Sequence, residues 1–366
     1  MVLMALDHTR DFFGSSGANP RDVTDPALFL TRWITHFCAP TFVFLAGLSA
    51  WLYGRHGRTT RDVSRFLLTR GLFLIVVEFT IVRLAWSFSL DLQSFGAQVI
   101  WVIGASMVAL ALLIHLPSSA LLAFALLMIA GHNLLDHIRA ADLGAVAPVW
   151  QILHEPGLIR LRDDVAIYVL YPLIPWIGVM ALGFAIGPVF AIDAPRRRQL
   201  LLGAGTALII GFILLRASNL YGNPETWQPE QDALSSMLSF INCEKYPPSL
   251  LYLMMTLGPA LILLAAFERA HGRWWNFIAV FGRVPFFFYV AHIYLIHALA
   301  VIYAVVVFGD AAWLSGGSFD LKPADYGLSL PAIYLMTLFV IVLLYPLCRW
   351  FAARKQESKE WWWSYV

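Results

Sequence analysis

Met1-Val2-Leu3-Met4-Ala5-Leu6-Asp7-His8-Thr9-Arg10-Asp11-Phe12-Phe13 opens the chain with six apolar residues, then sets two carboxylates, a histidine and an arginine within five positions. In a water-soluble protein this would be a helix leaving the core. The rest of the chain says otherwise. Of 366 residues 60% are hydrophobic and 13% charged, whereas a soluble domain carries about 25% charge. Too few polar residues exist to cover an aqueous fold of this size. Apolar windows of about 20 residues recur instead, which defines an all-α, polytopic transmembrane helical bundle.

Ten spans are expected, at 1–14, 34–53, 66–88, 97–115, 118–136, 166–190, 199–217, 248–267, 276–308 and 330–350. Fourteen helical residues cover only about 21 Å of a hydrocarbon layer about 30 Å thick. The first helix is therefore expected to be truncated, with more of it upstream of Met1. Residues 1–350 read as one transmembrane domain and 351–366 as a cytoplasmic tail, with no internal repeat.

Loop charge orients the chain. One alternate set of loops carries Arg55, Arg58, Arg61 and Arg65, then Arg196-Arg197-Arg198, then Arg269 and Arg273, then Arg354 and Lys355. The other set, 15–33, 137–165, 218–247 and 309–329, is longer and richer in Asp and Glu. The positive-inside bias puts both termini in the cytoplasm. The same clustering explains the net charge of +2, so no nucleic-acid partner is implied. Cys38, Cys243 and Cys348 are too scattered for a disulfide framework or a metal cluster.

With that orientation His8 lies in the outer half of the first helix. Ionisable side chains inside a bilayer are costly, so each one within a span is a candidate for function. His8 and Asp11 are three apart and share a helix face, whereas Asp7 points elsewhere. A carboxylate on that face can fix the tautomer of an imidazole acting as a base; the alternative is a helix end that simply meets water. Glu78 and Arg83 suit a structural ion pair with another span. His36 precedes Phe37-Cys38-Ala39-Pro40, where proline frees a carbonyl and a kinked helix can face a cavity. Arg283, before Pro285 near the cytoplasmic end of the ninth span, can snorkel to lipid phosphate or grip a phosphate of a cytosolic cofactor. His292 lies deeper on the same span. His132 begins a polar run where the fifth span emerges. Lys245-Tyr246-Pro247-Pro248-Ser249 and Tyr171-Pro172-Leu173-Ile174-Pro175-Trp176 open two spans from the outside with rigid, aromatic entries. The aromatic tail Trp361-Trp362-Trp363-Ser364-Tyr365 suits the cytoplasmic interface. No phosphate-cradling glycine loop, zinc-spaced histidines or Gly-x-Ser-x-Gly elbow occurs.

Two runs carry a resemblance: Leu3 to Phe13, and Thr31-Arg32-Trp33-Ile34-Thr35-His36-Phe37-Cys38-Ala39-Pro40-Thr41-Phe42-Val43-Phe44-Leu45-Ala46-Gly47. With the segments Tyr171 to Met180, Lys245 to Pro259 and Phe281 to His297, they resemble a bacterial membrane family. That family is similar to the catalytic domain of heparan-alpha-glucosaminide N-acetyltransferase and, more distantly, to integral-membrane sugar O-acyltransferases. The resemblance implies a multi-pass protein of the bacterial inner membrane. It would move an acetyl or other acyl group from cytosolic acyl-CoA to a sugar amine or hydroxyl outside. His8 matches the first-helix histidine of the O-acyltransferases. The glucosaminide enzyme has its histidine where this chain has Asp25-Pro26, and an Asp-x-x-Arg-Gly start is expected upstream.

The expected roles follow. His8 is the base or takes the acyl group itself, and Asp11, or else Asp7, orients it. Arg283 and the cytoplasmic arginines, Arg70 among them, bind the phosphates of acetyl-CoA, and no metal is required. His36, Lys245, Tyr246 and His292 line the tunnel or acceptor site. The lipid bilayer, acyl-CoA and a saccharide are the partners, and assembly as a homo-oligomer is left open. A proton-coupled transporter or flippase for a sugar or lipid-linked sugar is the rival, with the histidines as proton relays.

Overall fold

The computed structural model describes residues 1–316, 322–358, 360 and 363. Its helices are α1 (Val2–Phe13), α2 (Pro26–Thr35), α3 (Cys38–Gly54), α4 (Thr60–Val77), α5 (Arg83–Ser87), α6 (Val99–Leu113), α7 (Ser118–Gly131) and α8 (Ala147–Leu153). They continue with α9 (Leu173–Ala185), α10 (Ala194–Ser218), α11 (Ala233–Ile241), α12 (Leu250–Phe267), α13 (Arg273–Arg283), α14 (Pro285–Phe308) and α15 (Leu330–Glu357). Every segment expected to span is helical over most of its length. Among the described residues seven helical stretches are long and apolar enough to cross a membrane by length and composition. The protein is an all-α polytopic helical bundle. The aromatic tail, apart from Trp363, lies outside the described residues.

Three expected boundaries and one expected pairing are corrected. The first outer loop contains α2, because Asp25 caps it by accepting from Leu28 N–H at 3.0 Å and Pro26 takes its first turn. The sixth span begins as a strand, β3 (Val165–Val169), which pairs in parallel with β1 (Ser94–Ala97) and antiparallel with β2 (Gly157–Arg162). Its helix starts only after Pro172. The ninth span breaks at Val284 (φ −130°, ψ 53°), since a residue before proline is pushed out of the helical region. What precedes the break is α13, with Trp274 and Ile278 exposed. Glu78, expected in an ion pair, instead accepts from Trp101 N–H at 2.7 Å, placing a carboxylate on the N-terminus of α6.

The chain forms two compact units. One comprises Met1–Cys38, Thr80–Leu92 and Ala270–Val366; the other comprises Ala39–Phe79 and Gln93–Arg269. The second unit is built on close helix pairs. With no hydrophobic drive between helices in lipid, close approach depends on small residues. A Cβ on Gly71 of α4 would lie 2.6 Å from Gly104 O of α6, and one on Gly205 of α10 would lie 2.7 Å from Gly258 O of α12. Its small sheet closes over Ala97, Ile159 and Val169, with Phe79 and Trp101 packed against them.

In the first unit α1 packs against α2, α14 and α15. Met4, Ala5, Leu6, Thr9, Phe12 and Phe13 form its buried side. The last carbonyls of a helix have no partner within it. Here the segment before α15 supplies them: Lys322 Nζ donates to Asp11 O at 2.7 Å, Tyr326 Oη to Phe12 O at 3.0 Å and Leu328 N–H to Phe13 O at 2.8 Å. Gly327, at φ +131°, runs so close to Ser15 that a side chain would collide with it.

The glycine pairs are testable. Gly71→Val and Gly205→Val are expected to cost about 1–3 kcal/mol through overpacking, read as a lowered thermal midpoint in detergent. Gly203→Val is the control, because its Cβ would meet nothing within 4 Å; it is expected to leave the midpoint within error.

Candidate active site

Two helices of the first unit bring the expected histidine into contact with another. His8 Nδ1 lies 2.7 Å from His292 Nε2, and the rings are 12° from parallel. His292 is 0% exposed, and its Nδ1 lies 2.8 Å from the carbonyl of Phe288, one turn back on α14.

These acceptors assign the tautomers. A carbonyl can only accept, so His292 Nδ1 carries hydrogen and, in the neutral ring, Nε2 is bare. His8 Nδ1 must then be the donor between the rings, which leaves His8 Nε2 with its lone pair free of hydrogen. A half-buried imidazole held this way can take a proton from a hydroxyl or amine.

The surroundings are aromatic. Trp86 of α5 stands edge-on to His8 at 4.9 Å between centroids, Tyr289 at 6.0 Å, and Phe288 stacks on His292 at 5.0 Å. His297 is buried as well: its Nδ1 faces Ala85 O at 2.8 Å and its Nε2 faces Leu314 O at 3.1 Å. It stacks on Phe88 at 3.8 Å and so ties α5, and with it Trp86, to α14.

The two expected orienting carboxylates have another occupation. Asp7 Oδ1 and Asp11 Oδ1 each accept from Arg10 Nη2 at 2.8 Å. Thr35 Oγ1 of α2 lies 2.9 Å from Asp7 Oδ1. A cation between two carboxylates within one turn is a strong local arrangement. His8 also meets His292, expected only to line a tunnel. His36 is buried at the end of α2 and Arg283 is exposed at the end of α13.

The remaining candidates belong to the second unit. There Tyr246 Oη lies 3.4 Å from Tyr171 Oη, and Lys245 Nζ lies 5.0 Å from the Tyr246 ring. Arg70 lies 5.9 Å from the Phe66 ring. His132 bonds Ile129 O at 3.0 Å, and beside it His154 Nε2 sits 3.2 Å from Asp136 Oδ1. Among the described residues no three metal-ligating side chains converge.

Trp86, Tyr289 and Lys322 went unexpected. Lys322 also donates along the α1 terminus, and burial pushes its ammonium down to about 8 from an ordinary 10.5, with Asp11 opposing and Arg10 adding to the shift.

The long apolar helices make this an integral membrane protein of the all-α, polytopic class. Residues 1–218 match the family model described as heparan-alpha-glucosaminide N-acetyltransferase, catalytic, and the chain belongs to that family. Its kind of function is that of a membrane acetyltransferase. No curated protein and no solved structure matches the chain.

The lowered Lys322 predicts a pH signature. The fold disfavours its charged form, so the unfolded chain holds more protons between about pH 8 and 10.5, and stability rises with pH across that window. Relative to Lys322→Met, the wild-type melting temperature is expected to climb from pH 8 to 10. A constant difference would contradict the assignment.

Proposed function

We propose that the protein is an acyl-CoA-dependent membrane acyltransferase. In this reading it moves an acetyl group from cytosolic acetyl-CoA to a hydroxyl or amine of a sugar on the outer side of the membrane. The observation that carries the reading is the hydrogen-bond order Phe288 O, His292, His8, which leaves His8 Nε2 as a base. Family membership supports acetyl transfer; the loop charges support the orientation.

The step follows from these groups. The acceptor oxygen or nitrogen attacks the thioester carbonyl while His8 Nε2 takes its proton. The carbon–sulfur bond then breaks, and the CoA thiolate leaves and recovers that proton from the His8 imidazolium. His292 answers the charge on His8 by accepting from Nδ1 throughout, the part a carboxylate plays in a serine-hydrolase triad. Trp86 and Tyr289 limit water around the ring, which favours transfer over hydrolysis. Arg283 is assigned the phosphates of acyl-CoA, for which its fork of donors is suited.

Membranes carrying the protein are expected to transfer label from acetyl-CoA to saccharide. His8→Ala is expected to lower this at least about 100-fold and His292→Phe at least about tenfold, both at unchanged protein level and unchanged KM for acetyl-CoA. Transfer retained by His8→Ala would sink the reading.

A further inference from the structure

The break before Pro285 leaves α13 as a separate helix of 11 residues. It is about 16 Å long, too short to cross a hydrocarbon layer of about 30 Å. Its depth follows from α15. From Leu330 to Arg349 that helix rises about 28 Å. Arg349 thus stands where α15 leaves the apolar layer, on the side that loop charge assigns to the cytoplasm. Phe277 of α13 stacks on Tyr345, one turn short of Arg349, with ring centroids 4.3 Å apart. The stack holds α13 at the level of the lipid headgroups.

The flanks of α13 are unlike one another. At about 100° per residue, Phe277, Val280 and Phe281 share one flank. It packs on α14 and α15: Val280 and Phe281 are buried, and Phe281 also meets Phe288 at 5.0 Å. Trp274 and Ile278 form the adjacent flank and are 81% and 49% exposed. Asn276 and Ala279 take the opposite side and are exposed as well. Packing on α14 and α15 therefore covers only part of the apolar surface of α13. On α15, Leu347 and Trp350 are exposed next to Arg349.

Charge here has one sign. α13 carries Arg273 and Arg283 and no carboxylate. Among the described residues no carboxylate pairs with Arg273 or Arg349, whereas Arg354 has Glu357 at 3.8 Å. Arg273 is four residues before Phe277 and Arg349 four after Tyr345, so each lies one turn from the same ring stack. Exposed indole, exposed aliphatic side chain and unanswered guanidinium groups thus occur together.

We propose that α13 is an interfacial helix that docks on the cytoplasmic leaflet and selects anionic phospholipid. Trp274 and Ile278 enter the acyl boundary, and Arg273 and Arg349 bind headgroup phosphate. A phospholipid matches both features at once, because its phosphate and its acyl chains are adjacent in one molecule. A soluble anion would leave Trp274 and Ile278 in water. The proposal does not depend on acyl transfer.

Binding of labelled phosphatidylglycerol and phosphatidylcholine to the purified full chain in detergent tests the headgroup. Phosphatidylglycerol is expected to be preferred at least about fivefold, the effect of one arginine at an anionic surface. The double variant Arg273→Gln, Arg349→Gln is expected to reduce this preference at least about threefold. Arg162→Gln, exposed on β2, is expected to leave it unchanged. Maleimide labelling in phosphatidylglycerol nanodiscs tests the depth, read against the background of Cys38, Cys243 and Cys348. Asn276→Cys is expected to label at least about tenfold faster than Ile278→Cys. Equal binding of the two lipids, a preference unchanged in the double variant, an equal loss in Arg162→Gln, or equal labelling of the two cysteines would overturn the proposal.

Discussion

A ring nitrogen shut away from water must be answered by another polar group, and His292 has a single arrangement that satisfies it. Its Nδ1 bonds the carbonyl of Phe288, so its Nε2 accepts, and the donor that reaches it is His8. The consequence is chemical. An imidazole on α1 that could have held either tautomer is set in the one whose Nε2 is bare. Everything that places α1 therefore bears on the base. Lys322, Tyr326 and Leu328 fix the last turn by bonding the carbonyls it leaves over. Phe12 and Phe13 anchor the apolar side with no exposure to solvent.

The charged groups on the same helix divide the labour with the histidine. Arg10 pairs with both Asp7 and Asp11 within a turn, so the polar end of α1 enters an apolar environment without an isolated charge. Arg10 and Asp11 of this cluster also line a cavity of about 360 Å³.

Much of the fold was legible because a bilayer demands long apolar windows and sorts basic residues between loops. Where the reading slipped, local chemistry overrode hydropathy. Val165–Val169 is apolar enough to start a membrane helix, yet a short apolar run is ambiguous between strand and helix, and Ser94–Ala97 pairs with it. Asp25-Pro26 carried a cap and a first-turn proline, signals of a helix start that hydropathy alone passed over. In the site, His8 stood out because a titratable group in a span demands a reason. Its partner did not, since His292 is 284 positions away and no local spacing links them. Asp11 was favoured by the three-residue rule, which holds equally for Asp7 and Arg10, and the arginine took both carboxylates. Lys322 was hidden in a loop whose overall charge balance said nothing about one half-buried ammonium.

The protonation order of the two imidazoles is read directly by nitrogen NMR of histidine-labelled protein. With signals assigned by His8→Ala and His292→Ala, both rings are predicted to be neutral with hydrogen on Nδ1, and His8 Nε2 to appear as a bare, pyridine-like nitrogen. Hydrogen on Nε2 of His8, with Nδ1 bare, would contradict it, because the nitrogen assigned to take the acceptor proton would already carry one.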